Sequence, residues 1–281
     1  MKTLDQLSNR IHDDGKLCLK RVNSIEFDRV CFTYPGTDKQ VLHGVSFCIH
    51  SGEKVALVGL NGSGKSTIIK LLLRMYDVDE GQIRINGTDI REFRITELHR
   101  NFSAYFQDEP SYAFSLWENL TIADLTHPEE ESAVWAALRS SGCSDILHNL
   151  PNGLDTYLTR LFDDGGIELS GGQYQKLALA RTFFRRHTAL LLDEPSSNLD
   201  PRAEQQLFES LRELTVGKTV LFTSHRLSNV TLADRIVVLE YGSVLEDGTQ
   251  EELLKKGGRF AELFHYQQQR YRTAKEENVT C

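Results

Sequence analysis

One nine-residue segment constrains this chain more than any other: Gly59-Leu60-Asn61-Gly62-Ser63-Gly64-Lys65-Ser66-Thr67, spaced G-x-x-x-x-G-K-S. A short, almost continuously apolar run, Lys54-Val55-Ala56-Leu57-Val58, precedes it and reads as a strand covered on both faces. A helical run, Thr67 to Arg74, follows. The glycines let successive backbone N–H groups converge on phosphate oxygens with no side chain in the way. The helix that starts there adds its positive N-terminal end. In such a loop Lys65 reaches the β- and γ-phosphates of a nucleotide, and the Ser66 hydroxyl is a ligand for Mg²⁺.

The flanking patterns fit an α/β chain. Ser24 to Phe32 alternates as a strand with one buried face, Pro35-Gly36 turns the chain, and Val41 to Ile49 reads as its partner. Residues 24 to 58 therefore predict an antiparallel β-edge. Gly81 to Ile85 and Phe102 to Phe106 are further strands. Residues 109 to 160 hold no strand pattern; Trp117–Ile122, Glu129–Ser140 and Asp145–Leu150 read as helices, broken at Pro128, Gly142 and Pro151-Asn152-Gly153. This is an inserted helical subdomain of about residues 109–175. Alternation then resumes: a helix from about Gly172 to Arg185, a strand Thr188–Leu192, a helix Pro201–Leu214, a strand Thr219–Thr223, and a hairpin Arg235–Glu240 with Ser243–Asp247 around Gly242. Gln250 to Arg272 reads as a charged helix, Lys255 to Glu277 as a solvated helix face, and Met1 to Ile11 as a short helix.

Composition excludes several classes. Lys and Arg number 32 and Asp and Glu 40, for a net charge of −8 and a pI near 5.6. That balance argues against nucleic acid as a partner, which calls for a basic face. No run approaches the roughly 18 apolar residues of a membrane helix, and Met1 to Arg10 is polar, unlike a signal peptide. The five cysteines, Cys18, Cys31, Cys48, Cys143 and Cys281, contain no C-x-x-C pair and read as reduced thiols without a zinc site.

Two further motifs belong with the glycine loop. Ala189-Leu190-Leu191-Leu192-Asp193-Glu194 is a buried strand ending in two acids. Asp193 there holds Mg²⁺ through its water shell, and Glu194 polarises an attacking water. Leu169-Ser170-Gly171-Gly172-Gln173 opens a helix and forms a second anion cradle. Lys65 and Ser170 stand 105 positions apart, on either side of the helical insertion. One triphosphate does not need two cradles within one chain.

Together these residues resemble the ATP-binding cassette (ABC) family, from about Ser24 to Tyr266. The Leu-Ser-Gly-Gly-Gln run, between the phosphate loop and the acidic strand, is the family's signature. The resemblance implies an α/β fold: a P-loop NTPase core with mixed sheet, an antiparallel β subdomain and the inserted helical subdomain. It also implies roles. Tyr34 matches the aromatic that stacks on adenine. Gln107 matches the glutamine that contacts Mg²⁺ or the attacking water and senses the membrane domain. Ser197-Asn198-Leu199-Asp200 matches the loop crossing a dimer interface, and His225 the switch histidine at the γ-phosphate. Asn198 stands where the family most often has Ala. Leu161-Phe162-Asp163-Asp164-Gly165-Gly166-Ile167-Glu168 departs from the Glu-Arg-Gly segment of many exporters and looks more like bacterial peptide and lantibiotic-type exporters.

The resemblance implies ATP and Mg²⁺ as ligands, and a head-to-tail pair with each signature closing on the other copy's ATP. The pair is a homodimer or includes another nucleotide-binding domain. It implies hydrolysis that powers export across a membrane, a transmembrane-domain partner, no nucleic acid, and a place at the cytoplasmic face. Residues 1–22 read as a lead-in from a membrane domain, 23–272 as the ATPase domain and 273–281 as a tail. An importer ATPase subunit and a non-transport ABC ATPase remain alternatives. Tyr112, Phe114 and Trp117 are either helical-subdomain core or a socket for a helix of the membrane domain.

Overall fold

The computed structural model describes residues 11, 13–107, 110, 112–126, 130–148, 150–161, 163–197 and 199–277. The expected helix at the N-terminus, Asn198, Asp108 and Glu109 after Gln107, Phe162 and Cys281 lie outside them. The chain divides into two compact units: Met1–His99 with Gly217–Cys281, and Arg100–Val216.

The first unit holds two sets of strands. β1 (Ser24–Thr33) and β2 (Gln40–His50) pair antiparallel, placing Ile25 opposite Ile49 and Phe27 opposite Phe47. The two Phe rings stack at 4.7 Å and 7°. Alternation gives each strand one apolar face, and cross-strand aromatic pairs tie it together. β3 (Lys54–Val58) departs from the expected antiparallel edge. It pairs parallel with β8 (Thr219–Ser224) and β9 (Arg235–Glu240), Val55 lying opposite Leu221 and Arg235. Its apolar run explains this: Val55, Ala56 and Leu57 are fully buried, and such a strand needs cover on both faces. β4 (Glu80–Ile85) takes the other edge of β1, with a two-residue β5 (Thr88–Asp89) beyond it. β10 (Ser243–Gly248) completes the expected hairpin with β9.

α1 (Lys65–Leu72) follows the glycine loop, and α2 (Ile95–Asn101) is a helix that the sequence pattern did not signal. The segment before β1 is pinned down. The N–H groups of Lys16 and Leu17 donate to the Glu92 carbonyl, and Asp13 Oδ1 accepts the Ile95 N–H at 3.0 Å. The Asn86 side chain accepts from Asn23 and Ser24 N–H and donates to the Arg21 carbonyl. The single C-terminal helix expected from Gln250 is two. α8 (Gln250–Lys256) ends at Gly257, whose φ of 67° is left-handed, and α9 (Arg259–Glu277) starts anew. Gly257-Gly258 is a helix stop that the surrounding charged pattern hides.

The second unit carries β6 (Phe102–Tyr105) parallel to β7 (Ala189–Leu192). Between them lie α3 (Leu116–Thr121), α4 (Glu131–Ser140), α5 (Ser144–Leu147) and α6 (Gly171–Phe184); α7 (Pro201–Leu214) follows β7. Leu116, Leu120, Val134, Leu138, Leu158 and Leu177 form the centre of the helical core, each fully buried. Trp117 and Trp135 pack against it.

Candidate nucleotide-binding site

In the first unit, Gly59 to Thr67 forms a turn closed by the Ser63 N–H donating to the Leu60 carbonyl at 3.2 Å. Glycine is required at two points. A Cβ on Gly59 would overlap the Leu239 carbonyl. Gly64 caps α1 with φ of 105°, and a Cβ there would press on Leu42 Cδ2. No side chain caps α1, and its first turn holds no acidic residue. The N–H groups of a helix's first turn have no partner within the helix, so this end is built for an anion. Ser63 Oγ is buried without a hydrogen-bond partner beside this turn. Lys65, 6% exposed, folds its Nζ onto the carbonyls of Gly59 at 2.9 Å and Leu60 at 3.2 Å. The Lys65 side chain thus folds back over the loop in which a phosphate would sit. Asn61 and Gly62 are exposed at the loop tip, and Ser66 is half-buried.

Tyr34 lies beside this loop. Its hydroxyl is 3.0 Å from Thr67 Oγ1, and Lys70 Nζ sits 5.7 Å from its ring centroid. Phe32 and Tyr76 meet the Tyr34 ring edge-on at 5.0 and 5.3 Å. The ring is therefore held in one orientation by its neighbours, as an aromatic platform must be. Tyr76 and Lys70 carry no motif that marks them in the sequence; Lys70 lies five residues past Lys65 on α1. His225 is exposed directly after β8.

In the second unit, β7 delivers Asp193, 6% exposed, and half-buried Glu194. The Asp193 N–H donates to the Tyr105 carbonyl at 2.9 Å and extends the β6–β7 pairing by one residue. Glu194 has φ of 50°. A left-handed backbone at a non-glycine residue costs roughly 1–2 kcal/mol, and such strain gathers at functional positions. Gln107 is exposed in the turn after β6.

Ser170 is the N-cap of α6: its Oγ accepts the Gln173 N–H at 3.3 Å, and Gln173 Oε1 accepts the Ser170 N–H at 2.9 Å. Nothing stands within 4 Å of where a Cβ on Gly171 or Gly172 would lie. The helix end is ordered and open. Asp200 caps α7, accepting from Arg202 and Ala203 N–H. The Ala203 N–H chiefly, then that of Arg202, holds its carboxyl below the usual range. Gln175, 6% exposed, donates to the Pro195 carbonyl at 2.9 Å, tying α6 to the turn after Glu194.

The sequence reading missed a buried pair in this unit. Arg181 on α6 donates to the Asn119 carbonyl (3.1 Å), Asn119 Oδ1 (2.7 Å) and the Pro110 carbonyl (3.1 Å). Its guanidinium stacks over Tyr112 at 4.7 Å. A cleft of about 220 Å³ opens here, lined by Tyr112, Ile122, Ala178, Arg181, Thr182 and Arg185 among others. Tyr112 stacks on half-exposed Phe114 at 5.9 Å. Trp117 thus belongs with the core, and Tyr112 with the cleft.

An uncapped phosphate loop with its lysine, an aromatic platform, a strand ending in two acids and an Leu-Ser-Gly-Gly-Gln helix start define an ATP-binding domain. Residues 42–197 match the ABC transporter family, and the chain belongs to that family. It is 40% identical over 256 residues to an ATP-dependent lipid A-core flippase of Vibrio cholerae, covering 91% of this chain and 43% of that one. It is 40% identical over 240 residues to the subtilin transport ATP-binding protein SpaT of Bacillus subtilis, covering 85% and 39%. Among solved structures, a bacterial Atm1-family ABC exporter with ATP bound superposes with a TM-score of 0.81 at 34% identity, over 93% of this chain and 44% of that one. The chain spans less than half the length of these relatives. No helix among the described residues is long and apolar enough to cross a membrane.

Proposed function

We propose that this chain binds and hydrolyses ATP with Mg²⁺ and thereby drives export across a membrane, as the ATPase domain (residues 23–272) of a head-to-tail pair. The observation that carries this is the contrast between its two helix starts. α1 has neither a side-chain cap nor a first-turn acid, whereas α6 is capped by its own Ser170 with open space over Gly171 and Gly172. The first suits the phosphates of ATP bound by the same chain. The second suits the γ-phosphate of ATP bound by a partner copy.

In this reading Tyr34 stacks on adenine. Gly59, Asn61, Gly62, Ser63, Gly64 and Lys65 cradle the phosphates, with Ser66 and Thr67 at the start of α1. Ser66, Asp193 and Gln107 supply the oxygen donors for Mg²⁺, a hard-ligand set that suits this ion; bound there, it neutralises phosphate charge. Glu194 accepts a proton from the attacking water, and Gln107 orients that water. His225 donates to the γ-phosphate. Ser170 to Gln173 and Asp200 complete the partner's site. The pair is a homodimer or includes a second nucleotide-binding domain. In the same reading the chain works at the cytoplasmic face of the membrane, and the cleft beside Tyr112 receives a segment of a transmembrane domain.

Support for export over import comes from the flippase, the subtilin transporter and the Atm1-family exporter at 34–40% identity. The test is light scattering and ATPase assay on Glu194→Gln with ATP and Mg²⁺. The expected outcome is tight ATP binding, little turnover and a shift from monomer to dimer. Wild-type turnover in this variant would refute the assignment of Glu194, and a persistent monomer at high concentration would refute the composite site.

A further inference from the structure

The C-terminal helix α9 lies outside residues 42–197, the stretch that matches the ABC transporter family model. Its start is fixed firmly. Glu246, 6% exposed, accepts the Phe260 N–H at 2.8 Å, and a carboxylate at a helix N-terminus is favoured by the helix dipole. Arg259 pairs with Glu240 at 2.9 Å, and Phe260 is fully buried.

Two turns further on, Gln267 reaches the segment that follows β8. Its Nε2 donates to the His225 carbonyl at 2.6 Å, and its Oε1 accepts the Leu227 N–H at 2.8 Å. One planar amide thus spans three residues of backbone with both its ends. Ser224 Oγ adds two local bonds, donating to the Arg226 carbonyl at 2.7 Å and accepting the Arg226 N–H at 3.0 Å. At least four side-chain hydrogen bonds hold the backbone around His225. Two of these come from a helix more than thirty residues away in sequence.

We propose that Gln267 is a positioning residue: from α9 it braces the backbone of His225 to Leu227 and so sets where the imidazole points. The proposal rests on the reading of His225 as a γ-phosphate contact. The physical case is preorganisation. A donor aimed at developing charge is effective only if its backbone is already in place. A segment released from both Gln267 bonds samples other conformations, and the productive one is populated less often. ATP affinity, set chiefly by the loop Gly59 to Thr67, should change little, because Gln267 touches none of it.

The experiment compares wild type, Gln267→Leu, Gln267→Glu, His225→Ala and the double variant His225→Ala with Gln267→Leu, all in the full 281-residue chain. Gln267→Leu removes both bonds at similar volume; Gln267→Glu keeps the acceptor and loses the donor at neutral pH. Gln267 is only half-buried, so both should fold, and thermal unfolding checks it. The expected result is a kcat about tenfold lower for Gln267→Leu with KM for ATP within about twofold. Gln267→Glu should fall between it and wild type. Amide exchange should quicken at Leu227 without a global loss of protection, and Gln267→Leu should cause no further loss in the His225→Ala background. Undiminished kcat in Gln267→Leu beside a crippled His225→Ala would overturn the brace and leave the switch reading standing. An added loss in the double variant, or an equal fall in thermal stability, would make Gln267 a plain folding contact and also overturn it. Wild-type turnover in His225→Ala would remove the switch reading itself, and the brace with it.

Discussion

Arg181→Leu should cost far more stability than the loss of an ordinary surface arginine. Arg181 is 7% exposed and Asn119 fully buried. The three guanidinium bonds run to the Asn119 carbonyl, Asn119 Oδ1 and the Pro110 carbonyl. Asn119 Nδ2 is already committed, donating to the carbonyls of Tyr112, Phe114 and Ser115 at 3.0–3.3 Å. Its oxygen cannot turn elsewhere without breaking these. Removing Arg181 therefore strands two buried acceptors of Asn119. Each costs about 1–3 kcal/mol, or about 2–6 kcal/mol for the two. The expected loss is about 2–6 kcal/mol, or a Tm lower by about 4–24 °C at about 2–4 °C per kcal/mol. Urea unfolding followed by tryptophan fluorescence is the assay. The chain has 2 Trp, and both pack against the helical core of this unit. A loss under about 1 kcal/mol, the range of an ordinary surface pair, would refute the reasoning.

Other outcomes follow from the same geometry. Lys65→Ala should abolish turnover and weaken ATP binding by at least about tenfold, as measured by calorimetry, because it removes the ammonium that folds over the loop carbonyls. Phe114→Ala should leave ATP hydrolysis by the chain nearly intact yet impair transport in the full assembly; equal loss in both assays would make Phe114 a folding residue. Burial pushes the Cys143 thiol up to about 12, so in a Cys281→Ser background a thiol reagent at pH 8 should label exposed Cys18 and spare Cys143 until the chain unfolds. Burial would raise the Glu53 carboxyl, but the Arg235 guanidinium at 2.7 Å and the His50 N–H outweigh it and hold it below its ordinary 4.5. A depressed carboxyl contributes stability that is complete above that ordinary value and is lost as pH falls through the lower folded one. Glu53→Gln should therefore unfold with a weaker acid dependence below about pH 4.5 than wild type; identical acid profiles would count against the pairing.

Much of the chemistry was legible in the amino-acid sequence because it is local. Nine consecutive residues specify the phosphate loop, five the second helix start and two the acidic strand end. The apolar periods gave most strands and helices within a few residues. Pro201–Leu214 was read with both its ends as observed, helped by Asp200 and Pro201 at its start. Partners were not legible, because alternation marks a face and never says what lies against it. So the tertiary structure alone decided that β3 leaves β2 for β8 and β9, and that β4 joins β1. It alone placed Tyr34 against Thr67, Arg181 against Asn119 and Gln267 against His225, pairs separated by 33, 62 and 42 positions. It also gave Glu194 its left-handed backbone, a conformation that no side-chain type announces. Residue types carry the chemistry, while long-range hydrogen bonds and close packing, satisfied only when the whole chain has closed, decide where that chemistry points.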